Sequence, residues 1–175
     1  SLIIDGIVTV NGTLPATASG IIDLNDGGRL TFNYQGATKP SNIFNRKSGG
    51  TLAIGSSGTI DLLGIFEIPS GAFFKINGIV NQMTGALVSN LGTINLESNG
   101  TWVLGFDNAP MPSGLFNWEG TIEFSENTEF TFSNQLHVPQ VASLVNKSYL
   151  TITPSGRLLM EGTMRNDSTV RNLGT

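Results

Sequence analysis

Cysteine is absent from the 175-residue chain and histidine occurs once, at His137, so no disulfide, thiolate site or paired-imidazole metal site is available to it. A missing disulfide framework does not fix the compartment, because stacked apolar layers stabilise a repeat fold without covalent staples. Charge is also scarce: charged residues make up 13% and the net charge is -4. The nine basic residues are scattered from Arg29 to Arg171 without a dense run, which argues against a phosphate-tracking groove and nucleic-acid partners. No apolar run approaches the length that crosses a bilayer, so no membrane span is expected in this segment. Ser1-Leu2-Ile3-Ile4 carries neither an initiator Met nor a basic n-region and reads as a cut. An extended amphipathic helix pattern is likewise missing.

What the sequence does contain is glycine, 22 of them, in a recurring motif of Gly, one variable residue and an apolar residue. Examples are Gly50-Thr51-Leu52, Gly58-Thr59-Ile60, Gly71-Ala72-Phe73, Gly78-Ile79-Val80, Gly92-Thr93-Ile94 and Gly100-Thr101-Trp102. Taking every third recurrence, Gly28, Gly50, Gly71, Gly92 and Gly114 are separated by 22, 21, 21 and 22 residues. Three short strands per turn of about 21 residues is the period of a parallel β-helix. The whole chain, 1–175, is expected to form one such solenoid of roughly eight coils, near 40 Å long at about 4.8 Å per coil. Val88-Ser89-Asn90-Leu91-Gly92-Thr93 returns as Val170-Arg171-Asn172-Leu173-Gly174-Thr175, 82 residues or nearly four coils later. That ending inside the motif is expected of a segment of a longer repeat protein, or of a unit that self-associates end to end.

Within the repeats, Ile94-Asn95-Leu96, Ile122-Glu123-Phe124, Phe130-Thr131-Phe132 and Leu150-Thr151-Ile152 alternate apolar and polar residues as half-buried strands do. The pairs Asn11-Gly12, Asn77-Gly78 and Asn99-Gly100 are expected at corners needing positive φ. Asn77 and Asn99, 22 apart, are candidates for an asparagine ladder. Three stretches break the rhythm: Tyr34 to Ser48, with Lys39-Pro40, Phe44 and Arg46-Lys47; Gly105 to Trp118; and Gly120 to Gly156. In the last, Pro139, Val141, Leu144 and Val145 are compatible with one helical turn.

Two phrases carry a resemblance. Ser48-Gly49-Gly50-Thr51-Leu52-Ala53-Ile54-Gly55 through Ile68-Pro69-Ser70-Gly71-Ala72-Phe73-Phe74-Lys75-Ile76 is one. The other is Gly120-Thr121-Ile122-Glu123-Phe124 followed by Asn146-Lys147-Ser148-Tyr149-Leu150-Thr151-Ile152. They resemble the right-handed parallel β-helix repeats of large secreted and surface-anchored adhesin-like proteins of the Bacteroidota type. The resemblance implies an extracellular or cell-surface location and a structural or adhesive role, with a glycan or a host or neighbouring-cell surface as the ligand. It carries over no catalytic motif and no cofactor.

Chemistry-bearing residues are few. Glu119, Glu123, Glu126 and Glu129 form the densest charge, and Glu119 and Glu123 are expected on one face of a continuous strand. At about 3.3 Å per residue they stand some 13 to 14 Å apart, too far for one calcium ion or a glycosidase pair unless Glu97 and Asp61 stack beside them. A solvated face is the plainer expectation. A polysaccharide lyase or hydrolase, resembling the pectate-lyase group in fold, needs clustered carboxylates with a base; Asp61, Lys75, Glu97 and Arg157 are scattered singles, so no catalytic residue is assigned. Lone His137, beside Val138-Pro139, is expected at a strand end rather than as a ligand.

The better candidate is the segment from Phe106 to Trp118, where aromatic and proline surfaces on a rigid rod make a stacking platform for sugar rings. Its expected ligand-binding residues are Phe106, Asp107, Asn108 and Trp118, with Trp102 and Phe116 in the core and Trp118 at a corner. Thr13, Thr51, Thr59, Thr93, Thr101, Thr121 and Thr163 give an outward hydroxyl row spread over different faces, unlike the doubled, single-column array of an ice-binding face. Asn146-Lys147-Ser148 fits an N-glycosylation acceptor, and Asp167-Ser168-Thr169 resembles a short O-glycosylation acceptor of Bacteroidota.

Overall fold

The computed structural model describes residues 50–62 and 64–173, together with the strands Leu2–Ile4, Ile7–Val10, Ile22–Leu24, Arg29–Phe32, Ala37–Thr38 and Phe44–Arg46. Apart from those strands, the early glycine motifs, the break from Tyr34 to Ser48 and the closing Gly174-Thr175 lie outside the described residues. Among the described residues all regular elements are strands and every pairing is parallel, stacked as a β-solenoid of about six turns.

Each turn contributes strands to three faces. The first face stacks Ile7–Val10, Arg29–Phe32, Thr51–Ile54, Phe73–Ile76, Thr93–Leu96 and Leu115–Trp118, after which Gln135–Val138 and Arg157–Met160 form a separate ladder. The second face stacks Ala37–Thr38, Thr59–Leu62, Ile79–Gln82, Thr101–Leu104, Thr121–Phe124, Ser143–Asn146 and Thr163–Asn166 in one ladder. The third face is built of shorter ladders, among them Ile65–Ile68 with Leu87–Asn90, and Glu129–Phe132 with Tyr149–Ile152 and Thr169–Asn172. The 82-residue recurrence is thus structural: Val88 and Val170 occupy the same slot of third-face strands.

The repeat length has a simple origin. Corners from the first face to the second alternate between four residues (97–100, 139–142) and two (77–78, 119–120, 161–162). The return from the second face to the first takes ten residues each time, at 83–92, 105–114, 125–134 and 147–156. Coils are therefore alternately 20 and 22 residues long, as the second-face stack Ile60, Val80, Trp102, Ile122, Leu144 and Met164 shows. This alternation overturns the expected Asn77–Asn99 ladder. Asn77 stacks under Glu97, because Asn77 N–H donates to Ile54 and Glu97 N–H to Ile76. The side-chain ladders form elsewhere, from Asn117 Nδ2 to Asn95 Oδ1 at 2.6 Å and from Asn81 Nδ2 to Asp61 Oδ1 at 2.7 Å.

The Asn-Gly corners at Gly78 and Gly100 also have a different cause from the expected one. Gly78 and Gly100 do not adopt positive φ; they pass directly under carbonyls of the preceding coil. A Cβ at Gly92 would lie 2.3 Å from Ala72 O and 2.5 Å from Pro69 O, so only glycine lets that corner nest. Positive φ is found instead at other corners, such as Gly85 at 77°. Asn127, at 60°, takes the corresponding place one double coil later. That exchange explains why the motif vanishes between Gly120 and Gly156 while the coils continue. Pro139 to Ala142 is the four-residue corner closed by Ala142 N–H to Pro139 O, and Ser143–Asn146 is a strand, so the expected helical turn is not there.

Inward residues of all three faces make one core, including Leu52, Phe74, Ile94, Leu104, Ile122, Phe124 and Leu144. Aromatic rings run through it: Phe66 to Phe74 at 5.0 Å, Phe74 to Trp102 at 6.1 Å and Trp102 to Phe116 at 6.3 Å. The last two contacts are edge-to-face, the arrangement the ring quadrupole favours. Trp102 is a core residue as expected, and Phe116 is half-buried against that core.

Candidate functional site

The rod is interrupted where residues 105–114 stand in the place of a third-face strand. This segment is not an insertion, since it has the ten-residue length of its counterparts. It differs by Pro110 and Pro112, which supply no N–H to a ladder and disfavour a central strand. Substitute bonds satisfy backbone groups of the segment and of the strand that follows it. On one side, Asp107 Oδ1 accepts Glu129 N–H and Asn108 Oδ1 accepts Thr131 N–H, both at 2.8 Å, while Asn108 N–H donates to Glu129 O. On the other side, Asn90 Nδ2 donates to Ser113 O at 2.8 Å and Leu115 O at 3.2 Å, and Gln82 Nε2 reaches Pro110 O at 3.4 Å. The φ of 49° at Asn108 lets its side chain and backbone serve the same neighbouring strand.

Gln82 was not singled out in the sequence, yet it ties this segment to the core. It is fully buried, accepts Trp102 Nε1–H at 3.1 Å and donates to Ala86 O at 3.0 Å. The available signal was a polar residue in a slot that holds leucine or phenylalanine in neighbouring coils, at Leu62, Leu104 and Phe124. Asn90 occupies a comparable inward slot, and its Oδ1 is buried without a partner among the described residues.

Beside the interruption, strands Leu115–Trp118 and Gln135–Val138 follow one another in the coil sequence but do not pair. A cleft of about 450 Å³ opens there. Its apolar lining comes from Phe116, Trp118, Phe132 and Leu136 facing Pro110, Met111 and Pro112. Trp118 is 7% exposed, its indole N–H donates to Gly120 O at 2.9 Å, and its ring stacks on Phe116 at 6.3 Å. Of the four residues expected to bind a ligand, Asn108 and Trp118 line this cleft. Phe106 is half-buried against the core, and the Asp107 carboxylate is engaged by the ladder. His137, on the rim, pairs with Glu161 at 3.0 Å.

The acidic residues do not sit as expected. Glu119 and Glu123 are on different faces, because the corner 119–120 ends one strand and Thr121–Phe124 begins the next. Glu119 stacks beside Glu97 at that corner. Glu123 follows Asp61, Asn81 and Val103 in its column, so Asp61 is roughly 14 Å away at about 4.8 Å per coil. Glu123 pairs instead with Lys147 at 2.9 Å. The hydrogen bond to Glu123, then its charge, holds the Lys147 ammonium above its ordinary value of 10.5. Glu126, Glu129, Lys147 and Asp167 share a polar hollow of about 660 Å³, but no three acidic or imidazole groups converge on a metal position among the described residues.

One surface expectation also changes. Asn146 is fully buried: its Nδ2 donates to Asn166 Oδ1 at 2.7 Å, and its Oδ1 accepts from Ser148 Oγ at 2.8 Å. The folded chain therefore offers no glycosylation acceptor at Asn146. The hydroxyl row is spread over faces as expected: Thr59, Thr101, Thr121 and Thr163 share a second-face column with Ser143 that Ile79 interrupts, while Thr51 and Thr93 stand on the first face on either side of Phe73. Ser143 Oγ and Thr163 Oγ1 lie 2.8 Å apart within it. Among the described residues no helix is long and apolar enough to cross a membrane. Comparison of the chain with protein-family models, with curated proteins and with solved structures returns no match.

Proposed function

We propose that the chain is a rigid structural segment of an extracellular or cell-surface attachment protein, holding a ligand-contact point at a fixed place along a rod. The observation that carries this reading is the way the interruption at 105–114 is spliced. Side-chain amides of Gln82 and Asn90 in the coil before, and the segment's own Asp107 carboxylate and Asn108 amide oxygen toward the coil after, replace the missing ladder bonds, so a break in pairing costs little stiffness. A merely defective coil would leave those groups unpaired. Parallel ladders on three faces and a continuous aliphatic and aromatic core give the rest of the rod its stiffness.

The test is location and attachment on the source cells. An antibody against the folded segment is expected to label intact cells, external protease is expected to remove the signal, and deletion of the segment is expected to reduce adhesion. Signal confined to the cytosolic fraction, or adhesion unchanged by the deletion, overturns the proposal.

A further inference from the structure

We propose that the cleft between residues 108–112 and 130–137 is a binding site for a neutral saccharide, an inference that rests on the attachment reading above and names its ligand class. The apolar floor comes from Phe116, Trp118, Phe132 and Leu136, and the pyrrolidine rings of Pro110 and Pro112 form a wall. A pyranose ring has a face of C–H groups that is buried against such rings and an equatorial belt of hydroxyls that must be hydrogen-bonded at the rim. The rim provides primary amides. Asn134 and Gln135 are exposed and their side chains make no hydrogen bond to other described residues, while Asn108 commits its oxygen to Thr131 and leaves its Nδ2 unused.

Charge selects further. His137 is the sole titratable side chain on the lining, and its Nε2 is already paired with Glu161. No ammonium or guanidinium lines the cleft to receive a carboxylate or sulfate, so an acidic sugar would lose hydration without compensation. The size, about 450 Å³, lies within the range of small-molecule sites and suits a short oligosaccharide end or a disaccharide. Preorganisation completes the case: the wall is held by Gln82, Asn90, Asp107 and Asn108 before any ligand arrives, so little ordering is needed on binding.

The experiment is isothermal titration of the full chain with cellobiose, maltose and N,N′-diacetylchitobiose, with digalacturonate as the charged comparison and an uncharged proline-rich peptide as the alternative occupant. Trp118 fluorescence gives a second readout, since Trp102 is sealed in the core. At least one neutral disaccharide is expected to bind and shift the emission. The double variant N134A/Q135A, both exposed positions, is expected to weaken binding about tenfold while the melting temperature stays that of the parent. Absence of binding by all three neutral sugars, an unchanged affinity in the double variant, preference for digalacturonate, or binding of the peptide instead of the sugars overturns the inference. Failure here leaves the attachment reading standing if the antibody and deletion experiments succeed, and failure there leaves sugar binding to be judged on the titration.

Discussion

Replacing Gln82 by leucine separates a polar knot from simple filling of space. Leucine fits the slot, since Leu62 and Leu104 occupy it in the coils on either side. Volume is therefore nearly conserved, and the loss is one of hydrogen bonding. The Trp102 indole N–H and the Ala86 carbonyl lose their partner inside a fully buried site. At about 1–3 kcal/mol for each buried unsatisfied group, less the gain from burying a wholly apolar side chain, Gln82→Leu is expected to cost about 2–4 kcal/mol. Trp102→Phe removes the stranded donor, so the same leucine substitution in that background is expected to cost about 1–2 kcal/mol less. Urea unfolding followed by far-UV circular dichroism on the four members of the cycle measures the coupling. A leucine variant as stable as the parent, or an equal cost in both backgrounds, refutes the reasoning that Gln82 serves as the partner of Trp102.

Gly92→Ala drives a Cβ into two backbone carbonyls and is expected to cost about 3 kcal/mol, at the top of the overpacking range. Gly85→Ala has open space and strains only its own backbone, for about 1–2 kcal/mol; the reverse order in thermal melts would sink the nesting account of the motif. Lys147→Met is expected to lose up to about 1 kcal/mol at neutral pH. Because the folded Lys147 value lies above 10.5, that contribution is fully present below pH 10.5 and disappears as the pH rises through the folded value, so melts of parent and variant should converge only in strong alkali. Pro110→Thr combined with Pro112→Val restores ladder donors to residues 105–114, and the new amides at positions 110 and 112 are expected to be protected from exchange while sugar binding is abolished; fast exchange at both would show that the prolines are not what keeps the strand from forming.

The period of the solenoid was legible because each coil must place apolar residues inward at alternate positions and bring its corner beneath the coil before it. The sign of the glycines was legible but not their cause. A sequence cannot distinguish a glycine that needs positive φ from one that needs close approach, and Gly78 and Gly100 turned out to be the second kind. Asn127 and Ala142 then show why 120–156 read as a break. One adopts the left-handed corner without being glycine, and the other closes a corner where the two preceding coils have Gly120 and Gly100. Register was the least legible level. A mean of 21 residues conceals corners of two and four, and an error of two residues moves Asn99 out of the column of Asn77 and parts Glu119 from Glu123.

The site was legible through its prolines and aromatics, but its architecture depends on a fact of length. Had residues 105–114 been longer than their counterparts, the coil would have kept its strand and carried a loop on its surface. Equal length forces a substitution instead: the segment must span the same distance and satisfy the neighbouring strands without strand geometry. Short polar side chains beside proline and aromatics, as at Asp107 and Asn108, suit a sugar. The same short side chains are what can imitate a backbone carbonyl at ladder spacing, and the ladder claims their oxygens. The proposed sugar site is thereby left to groups that the coil's own hydrogen bonding does not need. These are the ring faces of Phe116 and Trp118, the pyrrolidines opposite them, and the amides of Asn134 and Gln135, which belong to the next coil and were not singled out beforehand.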